Sequence, residues 1–139
     1  MVKRFTVPGE PKGKGRPRFV KTGNYARAYT PNSTAEYERL VAAEYIKQCG
    51  NSGFDEGEML KIQVLAYFTI PKSTSKKKRA LMLSGDIRPT KRPDMDNIVK
   101  IIADSLNKLA YHDDAQIVSA DVRKYYSEEP RVEVTVENV

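Results

Sequence analysis

Residues 60–70 read LKIQVLAYFTI. Leu60, Ile62, Val64, Ala66, Phe68 and Ile70 fall on one side of an extended chain, and Lys61, Gln63 and Thr69 on the other. That period of two marks a strand with one buried face, ended by Pro71. Such a face needs a layer packed on it, and the flanking sequence supplies candidates. Upstream, Ser33–Glu36 (STAE) is a capping box and predicts a helix from about Thr34 to Gln48, closed by Cys49-Gly50. Its apolar stripe is Tyr37, Leu40, Val41 and Tyr45. Downstream, Ile98, Ile101, Ile102, Ser105, Leu106 and Leu109 recur at helical spacing on one face.

Further out, residues 2–7 (VKRFTV) suit a short strand ended by Pro8-Gly9, and Ser75 can cap a short helix over 76–83, stopped by Gly85. Residues 116–125 and 131–138 alternate again. Val118, Ala120 and Val122 make one inward row, and Val132, Val134 and Val136 another. With Glu128-Glu129-Pro130 as the turn, these two strands are expected to pair as an antiparallel hairpin. The order β-α-β-(α)-α-β-β predicts an α+β domain with a mixed sheet and two main helices. The whole chain, 1–139, reads as one domain. Residues 8–31, rich in Gly, Pro and Lys/Arg, read as a long basic loop, and 72–92 as a basic linker segment.

The 139 residues carry a formal charge of +6, and it is unevenly placed. Segments 1–30 and 71–92 are each +7, whereas 31–70 is −3 and 93–139 is −5. Cationic stretches beside acidic ones suit an enzyme of phosphodiesters, with cations for the backbone and carboxylates for a metal. A solvated surface of patchy charge would look the same. A single cysteine, Cys49, excludes an internal disulfide framework. No apolar run approaches the length of a membrane span, and MVKRFTVPGEPK lacks a signal-peptide core. A cytoplasmic domain is expected, with nucleic acid as the leading partner class.

The chemistry concentrates in Arg92-Pro93-Asp94-Met95-Asp96-Asn97-Ile98-Val99-Lys100. Residues i and i+2 of a helix diverge, so Asp94 and Asp96 converge only at an extended-to-helix junction, which is where the pattern places them. Asp96, Lys100 and Asp104 then form a row opposite the isoleucines. Asp113-Asp114 follows in YHDDAQ. Converging aspartates meet the needs of Mg²⁺, and Lys100 can offset phosphate charge. Each feature also has a plain structural use. Asp94 reads as a helix cap, Asp96–Lys100 as an exposed ion pair, and Asp113-Asp114 as a turn. Geometry constrains the set. A helix from Asp96 to Leu109 rises about 20 Å, and the chain from Leu109 to Asp114 reaches at most roughly 18 Å. A shorter helix, or a dimer whose second copy supplies Asp114, relieves the constraint.

PKGKGRPRF (residues 11–19) combines cations with glycines but is no P-loop. Lys72, Lys76 to Arg79, Arg88, Lys91 and Arg92 form the second basic region. Phe19, Tyr25 and Tyr29 are candidates for stacking on unpaired bases, or for ordinary packing. His112, the sole histidine, reads as incidental, and Cys49 has no ligand neighbours.

RPDMDNIVKIIADSLN followed by YHDDAQIV resembles the signature of RusA-type Holliday junction resolvases, endodeoxyribonucleases of phages and prophages. PKGKGRPRF and KSTSKKKRALMLSG are similar to a branch found in prophages of Gram-positive bacteria. The resemblance covers most of the chain and implies a Mg²⁺-dependent, intertwined homodimer that cuts four-way DNA junctions symmetrically. It implies that Asp94, Asp96 and Asp114 take the metal-binding catalytic positions and Lys100 the essential lysine, with Asp113 and Asp104 at recurrent positions. Lys12, Lys14, Arg16, Arg18, Lys76, Lys77, Lys78 and Arg92 are expected to track the DNA backbone. Two other functions fit the residues: a non-catalytic junction or single-strand DNA-binding module, and a nuclease of flaps or other branched DNA.

Overall fold

A computed structural model describes residues 1–15, 18–23, 25–29 and 32–139, with side chains at all of these except 18–20, 22 and 25–29. Among the described residues six strands and three helices follow in order: β1 (Val2–Pro8), β2 (Arg18–Thr22), β3 (Tyr25–Tyr29), α1 (Asn32–Cys49), β4 (Leu60–Thr69), α2 (Lys76–Leu83), α3 (Met95–Ser105), β5 (Ile117–Ser127) and β6 (Arg131–Asn138). The chain is α+β with a mixed sheet, as its pattern predicts.

That sheet has the order β1-β6-β4-β5. β4 pairs parallel with β5 and antiparallel with β6, which pairs antiparallel with β1. The expected β5–β6 hairpin is therefore corrected: β4 lies between the two strands. The reason is compositional. β4 and β6 each bury every second residue completely or nearly so, including Ile62, Val64, Val134 and Val136, and such strands belong at the centre. β5 carries Ser119, Asp121 and Lys124 and suits an edge. The turn at 128–130 is long enough to step over the end of β4, because neighbouring strands lie only about 4.8 Å apart. The inward row moves with the pairing. Val122, Lys124 and Tyr126 lie opposite Val64, Ala66 and Phe68, while Val118 and Ala120, expected inside, are exposed.

One face of the sheet carries the core. α1 packs over β1 and against α3, and α3 reaches β5. Tyr37, Val41 and Tyr45 of α1 and Ile98, Ile101, Ile102 and Ala103 of α3 are buried there. Burying each large aliphatic side chain contributes about 1.5–3 kcal/mol, so the isoleucine stripe sets how α3 faces and its charged row is left outward.

Two other expectations need correction. Residues 8–31 are not all loop, since β2 and β3 form an antiparallel hairpin pairing Thr22 with Tyr25. The two-residue Gly-Asn connection is a hairpin signal, masked in the sequence by surrounding Gly, Lys and Arg. α3 stops at Ser105 rather than near Leu109. There the Tyr111 hydroxyl donates to the Ala103 carbonyl at 2.6 Å, and the chain turns through Lys108 at φ 62°, so Leu109 meets the core from the turn. α1 begins at Asn32, two residues early, and the Thr34 hydroxyl accepts from the Gly15 N–H at 3.1 Å. Among the described residues no helix is long and apolar enough to cross a membrane.

Candidate active site

The site is built along α3. Its N-terminus is fed by the extended segment 88–94, which is laid against β5 by two hydrogen bonds. Arg88 Nε donates to the Lys124 carbonyl at 2.8 Å, and Lys124 Nζ donates to the Lys91 carbonyl at 2.6 Å. The Arg88 guanidinium also covers the Tyr125 ring at 4.4 Å. Asp94 follows at the N-cap position in extended conformation, and its side chain makes no cap hydrogen bond. A helix start usually spends such a carboxylate on its own free N–H groups; here it is left exposed beside Asp96, in the first turn.

Against this junction lies the glycine-rich block. The Lys14 N–H donates to the Asn97 carbonyl at 2.9 Å. A Cβ on Gly13 would stand 2.8 Å from Pro93 Cβ and 3.0 Å from Asn97 Cβ, so only glycine permits the approach. A cleft of about 310 Å³ opens between Gly13, Lys14, Arg92, Pro93, Asp94 and Asn97.

Further along the helix, Lys14 Nζ bridges Glu38 and Asp104, at 3.1 Å each, and Lys100 Nζ reaches Asp104 at 3.2 Å. Burial would push the Lys14 ammonium down, but its bonds to Asp104 and Glu38 hold it above the ordinary lysine value. Asp113 and Asp104 are the carboxyl neighbours of Asp114. Burial and then these carboxyl contacts raise Asp114, with Lys100 opposing. Its backbone N–H is held by Asn107 Oδ1 at 2.8 Å. Asp113 accepts from the Ala115 N–H at 2.9 Å and forms a reciprocal cap with Gln116 over the short 3₁₀ turn; the Ala115 bond lowers it first, and the bond from Asp114 second.

The candidate residues thus stand in two groups. Asp94 and Asp96 are at the start of α3, while Asp104, Asp113 and Asp114 are at its end. Eight residues from Asp96 to Asp104 make about 12 Å of helix. Among the described residues, no three Asp, Glu, His or Cys side chains gather to hold a metal ion. The shorter helix leaves Asp114 held to Asn107 just past its C-terminal end, with Asp94 and Asp96 at its start. Lys100 pairs with Asp104 rather than Asp96, and Asp113 serves the turn. These are nonetheless the oxygen donors a hard divalent cation takes. Asp94 leaves its capping role unfilled.

Of the basic candidates, Lys12, Lys76, Lys77, Lys78 and Arg92 are exposed. The three lysines occupy the first turn of α2, which has no acidic residue, so they add to the positive end of the helix dipole. Lys14 is tied to two acids. Arg16 lies outside the described residues, as do the side chains of Arg18, Phe19, Tyr25 and Tyr29. His112 is exposed and donates only its backbone N–H, to Gln116, among the hydrogen bonds described. Sequence reasoning missed Glu38, the acid under Lys14, and Lys124. The one available signal for Lys124 was that it continues the row Ala120–Val122 with a cation.

Acids at a helix start beside a cleft lined by Arg92 suit an enzyme that works on phosphodiesters. The family model for endodeoxyribonuclease RusA matches residues 8–137, and the chain belongs to that family. It is 40% identical over 141 residues to the "Uncharacterized protein YqaN" of Bacillus subtilis (strain 168), covering 98% of this chain and 96% of the relative. It is 30% identical over 136 residues to the "Crossover junction endodeoxyribonuclease rusA" of Lactococcus phage r1t, covering 97% and 95%.

Proposed function

We propose that the protein is a Mg²⁺-dependent endonuclease that resolves four-way DNA junctions by paired symmetric cuts, working in the cytoplasm as a homodimer. The observation that supports it most is Asp94, whose carboxylate is unspent on its helix and stands at the mouth of a cleft shared with Arg92. The phage relative is named for the same activity.

Asp94, Asp96 and Asp114 would hold the cation, which supplies Lewis acidity and a water acidic enough to react near neutral pH. The residues of the chain do the rest. Lys100 sets its ammonium toward the phosphate and offsets charge as water attacks phosphorus in line, leaving a 3′-hydroxyl and a 5′-phosphate. Arg92 and Lys12 hold the strand at the cleft, and Lys76, Lys77 and Lys78 hold a DNA arm beyond it. A two-fold dimer matches two cuts to the two-fold symmetry of a junction.

The test is cleavage of an immobile four-way junction with and without Mg²⁺, beside flap and linear duplex substrates at equal salt. Paired cuts in the four-way substrate alone, only with Mg²⁺, are expected. Preferred cutting of flaps would make it a nuclease of other branched DNA. Salt-sensitive binding without product under any divalent ion would make it a binding module.

A further inference from the structure

We propose that Lys124 is a positioning residue for Asp94, fixing the segment 88–94 from the inward row of β5. The proposal rests on the active-site reading above. Lys124 stands opposite Ala66, between Val122 and Tyr126, on the face of the sheet that carries the core. Lys124 is half-buried there, and withdrawing an ammonium even partly from water costs free energy that an aliphatic side chain of the same length would not. The small Ala66 leaves room for the stem, and the head has specific company. Its Nζ donates to the Lys91 carbonyl at 2.6 Å and lies 5.1 Å from the Phe68 ring centroid. The Lys124 carbonyl accepts from Arg88 Nε at 2.8 Å.

One residue of the sheet therefore grips the stretch that delivers Asp94 at two points, Arg88 and Lys91. Partial burial lowers the Lys124 ammonium from the ordinary lysine value, with the Asp94 charge opposing that and the Lys91 charge adding to it. The segment leads into α3 without a side-chain cap at Asp94, so the grip from β5 stands in for a local cap, and the carboxylate stays available.

The experiment compares Lys124→Met, Lys124→Arg and Asp94→Asn by thermal melting, Mn²⁺ calorimetry on the metal-free protein, and junction binding and cleavage. Lys124→Met is expected to melt within a few degrees of the parent and to bind the junction without metal within about 3-fold of it. Its Mn²⁺ affinity and kcat should each fall about 10–100-fold, the usual cost of losing a group that orients a ligand, with KM little changed. Lys124→Arg should recover part of both. Lys124→Met with unaltered Mn²⁺ binding and cleavage, while Asp94→Asn is inactive, overturns the role of Lys124 and leaves the site standing. Cleavage retained by Asp94→Asn removes the site itself. An unfolded Lys124→Met makes the lysine a fold element, and junction affinity lost in step with cleavage makes it a phosphate contact; either overturns the proposal.

Discussion

Asn107 Oδ1 accepts from the Asp114 backbone N–H at 2.8 Å, and this bond holds Asp114 at the turn that closes α3, whereas Asp94 and Asp96 stand at its start. Within one copy the proposed metal donors are divided. Sites completed across a dimer are therefore expected, and mixed dimers test this. Asp96→Asn and Asp114→Asn, each inactive as a homodimer, should regain cleavage at one site when coexpressed, because one shared site then holds both native aspartates. Nicked junctions should replace paired cuts. Inactive mixed dimers would place all three donors in one chain.

Lys14 and Lys77 both belong to basic stretches but should behave differently on DNA. Lys14 is neutralised by Glu38 and Asp104, whereas Lys77 is exposed at the start of α2. Lys77→Gln should weaken junction binding and reduce the slope of log affinity against log salt by roughly one. Lys14→Gln should leave that slope unchanged and lower stability by about 1 kcal/mol instead, read by denaturant unfolding. A smaller salt slope for Lys14→Gln would return it to the phosphate contacts.

Gly13→Ala inserts a Cβ that meets Pro93 and Asn97 closer than carbon atoms pack. The glycine-rich block must shift away from α3, at a cost of about 1–3 kcal/mol. Its melting temperature should fall, and because the shift opens the cleft beside Asp94, cleavage should fall more than junction binding. Unaltered melting would show that the block moves freely.

Asp121 ties the edge strand to its neighbour. Its carboxylate accepts from Arg123 Nε at 3.1 Å and from Gln63 Nε2 on β4 at 3.2 Å, and these bonds, Arg123 first, lower it from the ordinary aspartate value. A folded value below the unfolded one adds stability that is present above about pH 4 and lost as pH falls through the folded value. Asp121→Asn should therefore melt slightly below the parent at pH 7, with the gap closing on acidification below pH 4. A gap independent of pH would mean that the carboxylate charge plays no part.

The elements legible in the sequence were those whose own period decides them. β4 alternates over ten residues, α3 carries an isoleucine stripe, and α2 has its Ser75 cap and stops before Gly85. Strand partnership was not legible, because β5 and β6 are separated by a short turn and each alternates as a hairpin strand would. Only the polar residues of β5 hinted at an edge. The end of α3 was hidden because Leu109 keeps helical spacing while reaching the core from a turn. The site was legible as chemistry in Asp94, Asp96 and Lys100. Its arrangement depends on Asn107 holding Asp114, on Lys14 over Glu38, and on Lys124, contacts that no local pattern encodes.

The slot between β1 and β4 is filled by β6, the strand that follows every other. During synthesis the ribosome releases β1, β4 and β5 before the piece that joins β1 to the rest, so the sheet cannot close until residues 131–138 have emerged. β6 also lines the core beneath the helices. A nascent chain that has not reached β6 thus lacks the support that orients α3, and the nuclease gains the layout of its site only once residues 131–138 have been translated.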